Sequence, residues 1–280
     1  MLQIIEILKE IEKLAPLPLQ ESFDNAGVQT GNVNQPATGA LLCLDITEAV
    51  IEEAIELGYN LVIAHHPLVF KPFKSLTGAN YVERCVIQAC KHDLVLYAAH
   101  TNLDNAVGGV NYKLSELLGL RNVRILQKQK ENFLKLTKDP ASGLYALEHT
   151  DKQAGSGIIG ELLDEEDEML FLQRIKTILK TDCIRHSPLT GKKVRKIAIC
   201  GGSGAFMLSE AIESGADVFI TGEAKYNDFY DVEDKILLAV AGHYETEICT
   251  KDIFFDIISE KFPTFAVQIS NTNTNPVKYL

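Results

Sequence analysis

At 280 residues, with 46% hydrophobic and 23% charged side chains, the chain has the make-up of an ordinary globular protein with room for two lobes. A formal net charge of −11 argues against a general affinity for nucleic acid or anionic membrane. No apolar run approaches the roughly 18 residues needed to span a bilayer, no secretory leader is recognisable, and a cytoplasmic protein is expected.

Leu2, Ile4, Ile5, Ile7, Leu8, Ile11 and Leu14 recur at helical spacing, and Pro16 and Pro18 stop the helix they predict. Glu21–Gly27 is a polar loop, in which Asp24 and Asn25 suit a plain turn. Gly39–Asp45 reads as a strand. Asp45 or Thr47 then caps a helix that Gly58 ends. Leu61–Ala64 is short, wholly apolar and cut off by His65, His66 and Pro67, as in a buried parallel strand. Strand, helix and strand in that order imply a parallel pair.

The pattern continues with a helix over Ala79–Lys91, a strand over Leu94–Ala99 that leads to His100 and Asp104, and a helix over Val110–Leu118. Beyond Arg121 it loosens. Gln127–Ala141 reads as strand plus loop, with a turn at Lys128–Lys130. Ile158–Leu162 is strand-like, and the acidic run Asp164–Glu168 opens a helix expected over Glu168–Leu179, where negative charge suits the N-terminal dipole. Lys192, Lys193, Arg195 and Lys196 form a basic cluster that reads as a solvated turn before the strand Lys196–Cys200. Gly201–Gly204 matches neither the dinucleotide fingerprint nor a P-loop and reads as a tight turn. A helix over Phe206–Ser214, strands over Asp217–Ile220 and Ile236–Ala241, a helix through Phe262 and a strand over Phe265–Ile269 complete the chain. Residues 41–66 and 197–223 share the order strand, helix, glycine, strand, polar site, which predicts two lobes of similar topology.

Strand ends therefore carry the chemistry: His65 and His66; His100 and Asp104; Glu223; His243 and Glu247. Side chains of successive strand residues diverge, so adjacent histidines suit two neighbouring ions better than one. His243 and Glu247 share a face if a helix starts there, and imidazole with carboxylate is the donor mixture for Zn²⁺, Mn²⁺, Fe²⁺ or Ni²⁺. Two such ions, roughly 3.5–4 Å apart, polarise a phosphoryl or carbonyl oxygen and activate water. His100 suits a ligand, a group that orients one, or a packed strand-end residue. Glu223 suits a cap, an orienting group or a base. His92, His149 and His186 lie in polar segments and read as structural. The six cysteines form no Cys-x-x-Cys pair and read mostly as reduced and buried.

Ser22–Gly27, Ile63–Leu68, His100–Asp104, Thr221–Glu223 and Gly242–Glu247, in that order, resemble the GTP cyclohydrolase I type 2 homolog family, the Nif-three-like dinuclear-metal proteins. The resemblance implies an α/β fold of two lobes, with mixed or mostly parallel sheets flanked by helices, and a toroidal homohexamer. It implies two divalent ions per subunit, held by His65, His66, Asp104, His243 and Glu247, with Asp104 or Glu247 bridging. The lobes are expected at 1–122 with 237–280, carrying the metal site, and at 123–236. About 80 residues separate Arg121 from Gly201, so the compact form without an inserted domain is expected. The function expected is a metal-dependent hydrolase of a nucleotide-like or phosphorylated small molecule, with His100 or Glu223 aiding proton transfer. The alternative is a non-catalytic metal-binding hexamer that regulates partners or delivers metal.

Overall fold

The computed structural model describes residues 1–128, 135–138, 145–148 and 154–280, the two inner segments by their backbone. Helix α1 (Ile4–Leu14) buries Ile4, Ile7, Leu8 and Ile11, the stripe its spacing predicts, and stops ahead of Pro16. Strand β1 (Gly27–Thr30) follows, then β2 (Ala40–Cys43), buried throughout. Helix α2 (Glu48–Leu57) is capped by Thr47, whose Oγ1 accepts the Val50 N–H at 3.3 Å, and ends on Gly58 at φ 70°. That left-handed turn feeds β3 (Leu61–Ala64). Helix α3 (Tyr81–Lys91), capped by Asn80, leads to β4 (Val95–Ala98), from which the short α4 (Thr101–Asp104) departs.

Helix α5 (Val110–Leu117) leads into β5 (Arg121–Lys128), where the sequence pattern is loose because Ile125 is its only buried side chain. Strands β6 (Lys135–Lys138) and β7 (Tyr145–Glu148) pair antiparallel. Most of the turn expected at 128–130 and of the loop expected up to Ala141 lies outside the described residues, as does His149. Strand β8 (Gly155–Asp167) precedes helix α6 (Glu168–Ile178), and β9 (Arg185–His186) precedes β10 (Lys193–Cys200). The helix starts at Glu168 as expected, and the acidic residues ahead of it, 164–167, lie on β8. Glu166 and Asp167 pair across the ladder with Val194 and Lys193, and Lys193 Nζ lies 2.8 Å from Asp167. Opposite charges facing each other across two strands offset the low strand propensity of those residues. Helix α7 (Leu208–Glu213), strand β11 (Val218–Thr221), helix α8 (Asp228–Asp231), strand β12 (Leu237–Val240), helices α9 (His243–Glu247) and α10 (Thr250–Lys261) and strand β13 (Val267–Ile269) follow.

The chain forms two compact units, both mixed α/β as expected. The first holds residues 1–103 and 250–276 with β6 and β7; the second holds 104–128, 154–249 and 277–280. The five-stranded sheet of the first has the order β1-β4-β3-β2-β13, parallel except for β1 at one edge. The six-stranded sheet of the second has the order β5-β8-β10-β11-β12-β9, with β10, β11 and β12 parallel. The division expected at 237 therefore falls elsewhere. It would cut β12 from β11, to which it is hydrogen-bonded along its length. Periodicity identifies a strand but not its neighbour.

Each unit aligns three parallel strand ends. The last rung is Cys43, Ala64 and Ala98 in the first and Cys200, Thr221 and Val240 in the second. Before that rung β2, β3, β4, β11 and β12 are buried at every position. Burying a Val, Leu or Ile side chain stabilises by about 1.5–3 kcal/mol, so polar chemistry is confined to the residues just past it.

Candidate metal centre

In the first unit, the residues two places beyond the last rung are Asp45, His66 and His100. His65, fully buried, stands one place beyond it on β3. Its Nδ1 lies 2.8 Å from the Ala99 carbonyl, which only an N–H can satisfy, so the lone pair is on Nε2. His66 Nδ1 is 2.7 Å from Asp45 Oδ1, and the other oxygen of Asp45 accepts the Thr274 hydroxyl at 2.7 Å. His100 Nδ1 is 2.8 Å from Asp24 Oδ1, while Oδ2 accepts the Thr101 N–H at 3.1 Å and its hydroxyl. Burial pushes the Asp24 carboxyl up, but His100 and these donors outweigh it and hold it at about 2. Ring centroids lie 4.9 Å apart for His65 and His66, 5.3 Å for His65 and His100 and 5.5 Å for His66 and His100. One ring nitrogen from each comes within 4.8 Å of the others. An acceptor at the far nitrogen of each ring fixes its tautomer and orientation, the arrangement that metal-ligating histidines use.

In the second unit, the left-handed Gly242, at φ 101°, turns the chain from β12 into α9 and puts His243 and Glu247 one helical turn apart. His243 Nε2 is 2.9 Å from Glu247 Oε2, and its Nδ1 is 2.9 Å from Glu223 Oε1. Ser203 donates its hydroxyl to Glu223 Oε2 at 2.7 Å. Burial raises the Glu223 carboxyl; Ser203 and His243 more than reverse that and leave it below the usual range. The Gly201–Gly204 turn packs against this group. Gly202 donates its N–H to Thr246 Oγ1 at 3.0 Å and accepts the Glu223 N–H at 2.8 Å. A Cβ on Gly202 would overlap Glu247 Oε1. A Cβ on Gly222 would come within 2.7 Å of the Gly202 carbonyl and of Thr246 Oγ1. Gly202 thus makes room for a buried carboxylate, and Gly222 for the Gly202 turn and Thr246 beside it. Asp104 is at the end of α4, where its carbonyl accepts the Asn111 side-chain N–H at 3.2 Å.

These donors fit a divalent transition metal: imidazole nitrogen and carboxylate oxygen, with no thiolate. Cys200 is close enough to Asp104 and Glu247 to feel both, but burial first, then those charges, push its thiol far above the ordinary range. All six cysteines are free of disulfides. The structure brings His65, His66 and His100 together in one unit and His243, Glu247 and Glu223 together in the other. His92 and His186 are exposed and take no part in either group. Sequence reasoning passed over Asp24, taken as a turn, and Asp45, weighed as a cap. The signal for Asp45 is its place two residues past the end of its strand, as for His66 and His100; Asp24 has no such local signal, its partner being 76 residues away, and only its place in the Ser22–Gly27 segment marks it.

The model of the Duf34/NIF3 (NGG1p interacting factor 3) family matches residues 2–276. A GTP cyclohydrolase 1 type 2 homolog from Clostridium perfringens is 34% identical over 247 residues, covering 88% of this chain and 87% of that one. A protein of the same name from Staphylococcus aureus is 28% identical over an alignment of 370 residues that covers 100% of both chains. That alignment is longer than the 280 residues here, so this relative carries residues with no counterpart in the present chain. The crystal structure of a Bacillus cereus protein related to NIF3 shares the fold with a TM-score of 0.85 at 25% identity, over 100% of this chain and 99% of that one.

Proposed function

The chain belongs to the Duf34/NIF3 family, and from that premise we propose that it is a dinuclear metal-dependent hydrolase of a nucleotide-like or phosphorylated small molecule. His65, His66, Asp104, His243 and Glu247 would hold the ions. The observation that carries this reading is the set of three imidazoles, each anchored through Nδ1, with ring nitrogens within 4.8 Å of one another. When bound, two divalent ions supply Lewis-acid polarisation of a phosphoryl or carbonyl oxygen and make water more acidic. The chain's own groups do the rest. Asp24 keeps the proton of His100 on Nδ1, which leaves Nε2 to take a proton from the reacting group. Glu223 holds Nδ1 of His243 and fixes its ring, which leaves Nε2, beside the Glu247 carboxylate, as the nitrogen that would meet an ion. Glu223, whose side chain is 58% exposed, passes protons to solvent.

The relatives' name places GTP among the compounds to try. A cytoplasmic homohexamer belongs to the same proposal. The six free cysteines support a reducing compartment, and among the described residues no helix is long and apolar enough to cross a membrane. The test is turnover by the metal-loaded protein across a panel of nucleotides, phosphoesters and cyclic amides. At least one compound should be hydrolysed, and His100→Ala should slow it about 10²-fold or more at unchanged metal content. A panel left wholly intact by fully loaded protein contradicts the reading.

A further inference from the structure

Beside the histidines of the first unit stand two aromatic side chains that the chemistry above does not use. Phe23 is 66% exposed and Phe70 46% exposed. Single exposed apolar residues are commonplace, but these two face each other, with ring centroids 6.5 Å apart and planes at 60°. Phe70 also meets His100 edge to face, at 6.2 Å and 84°. The backbones that carry them are clasped. Asn25 Nδ2 donates to the Val69 carbonyl at 2.6 Å, Gln29 Oε1 accepts the Val69 N–H at 3.1 Å, and Gln29 Nε2 donates to the Asn25 carbonyl at 2.7 Å. Phe23 immediately precedes Asp24, the residue that anchors His100, and Phe70 immediately follows Val69. One hydrogen-bonded framework therefore sets both phenyl rings and the His100 imidazole, while Phe23 stays mostly open and Phe70 nearly half open.

We propose that Phe23 and Phe70 form a stacking subsite for a planar aromatic heterocycle of nucleobase size, on a ligand whose polar end lies at the histidine cluster. The placement of that polar end rests on the hydrolase reading; the stacking subsite does not. Two phenyl planes at 60° make a corner in which one flat ring stacks on one face and meets the edge of the other. The electron-rich faces favour a polarised, electron-poor ring over an aliphatic chain. The 6.2 Å between Phe70 and His100 is about one ring's width, so one small molecule reaches both. A sugar phosphate without a base would meet the histidines and leave the corner empty.

The test uses metal-loaded protein and calorimetric binding of AMP, GMP, CMP and UMP against ribose 5-phosphate, with metal content and oligomeric state measured on the same samples. At least one nucleotide should bind about tenfold or more tighter than ribose 5-phosphate. Phe23→Ala and Phe70→Ala should erase that advantage and leave ribose 5-phosphate binding and metal content unchanged. Phe70→Leu, apolar but without a ring, should also lose it. The chain contains no tryptophan, so Phe23→Trp supplies a single indole, excited selectively over the tyrosines, that the same nucleotide should quench. The proposal is overturned if no nucleotide exceeds ribose 5-phosphate, or if the advantage survives both alanine variants. It is overturned equally if those variants change the oligomeric state while the advantage persists, which makes the corner a contact between copies. A ring advantage lost in Phe23→Ala, in protein that takes up no metal, upholds the subsite and sinks the hydrolase reading. Full metal content without a ring advantage sinks the subsite alone.

Discussion

The two units build donor groups on the same frame by different means. Both align three parallel strands, and both connect the first pair of strands through a helix closed by a left-handed glycine, Gly58 or Gly215, each at φ 70°. Two places past the last rung, the first unit has Asp45, His66 and His100, and the second has Gly202, Glu223 and Gly242. In the first, the strand ends carry the imidazoles and an acceptor stands behind each one. In the second, two of the three strand ends are pared to glycine, and His243 and Glu247 come from α9, with Glu247 lodged where a side chain on Gly202 would sit. A strand terminus therefore offers two designs: supply the donor side chain itself, or make space for one from the following helix.

The largest expected effects test whether both designs serve metal. His65→Ala and Glu247→Ala should each remove at least one of the two proposed ions per chain, read by elemental analysis of folded protein. Loss in one variant and not the other would confine the metal to one unit. Next come the groups behind the rings. Asp45→Asn, behind His66 in the first unit, and Glu223→Gln, behind His243 in the second, should weaken metal binding about 10–100-fold, measured by competition with a chelator. Equal affinity in either would mean that its histidine is held by packing alone.

Two glycines sharpen the contrast in backbone terms. Gly202→Ala places a methyl group on Glu247 at φ 55° and should destabilise by about 1–3 kcal/mol in thermal melts. Gly58→Ala has a similar φ of 70° but open space around the new methyl, and about 1 kcal/mol is expected. Equal losses would show that strain, not the lodged carboxylate, sets the cost. The smallest effect is expected for Thr274→Ala, which removes one hydrogen bond from Asp45 and should cost about 0.5–1.5 kcal/mol.

The central strands and their terminal histidines were legible because burial on both faces writes an apolar run that must stop where polarity begins. His65 and His66 after Leu61–Ala64 are the clearest instance. His243 and Glu247 were legible from helical spacing alone. The edges were not. β5 buries only Ile125, and the end of β8 is acidic because Lys193 faces it, a pairing no local pattern encodes. The lobe boundary failed for the same reason: that β12 joins β11 is a fact about neighbours. Of the groups that hold the histidines, Asp24 reaches His100 across 76 residues and Thr274 reaches Asp45 across 229. Gly202 read as a turn, and its work against Glu247 emerged only in three dimensions.

Anomalous diffraction from native crystals, collected at the absorption edge of whichever metal elemental analysis identifies, tests the central claim most directly. The account predicts two peaks per chain, in contact with ring nitrogens of His65, His66 and His243 and carboxylate oxygens of Asp104 and Glu247. Crystals of metal-replete protein with no anomalous peak at these side chains would contradict it.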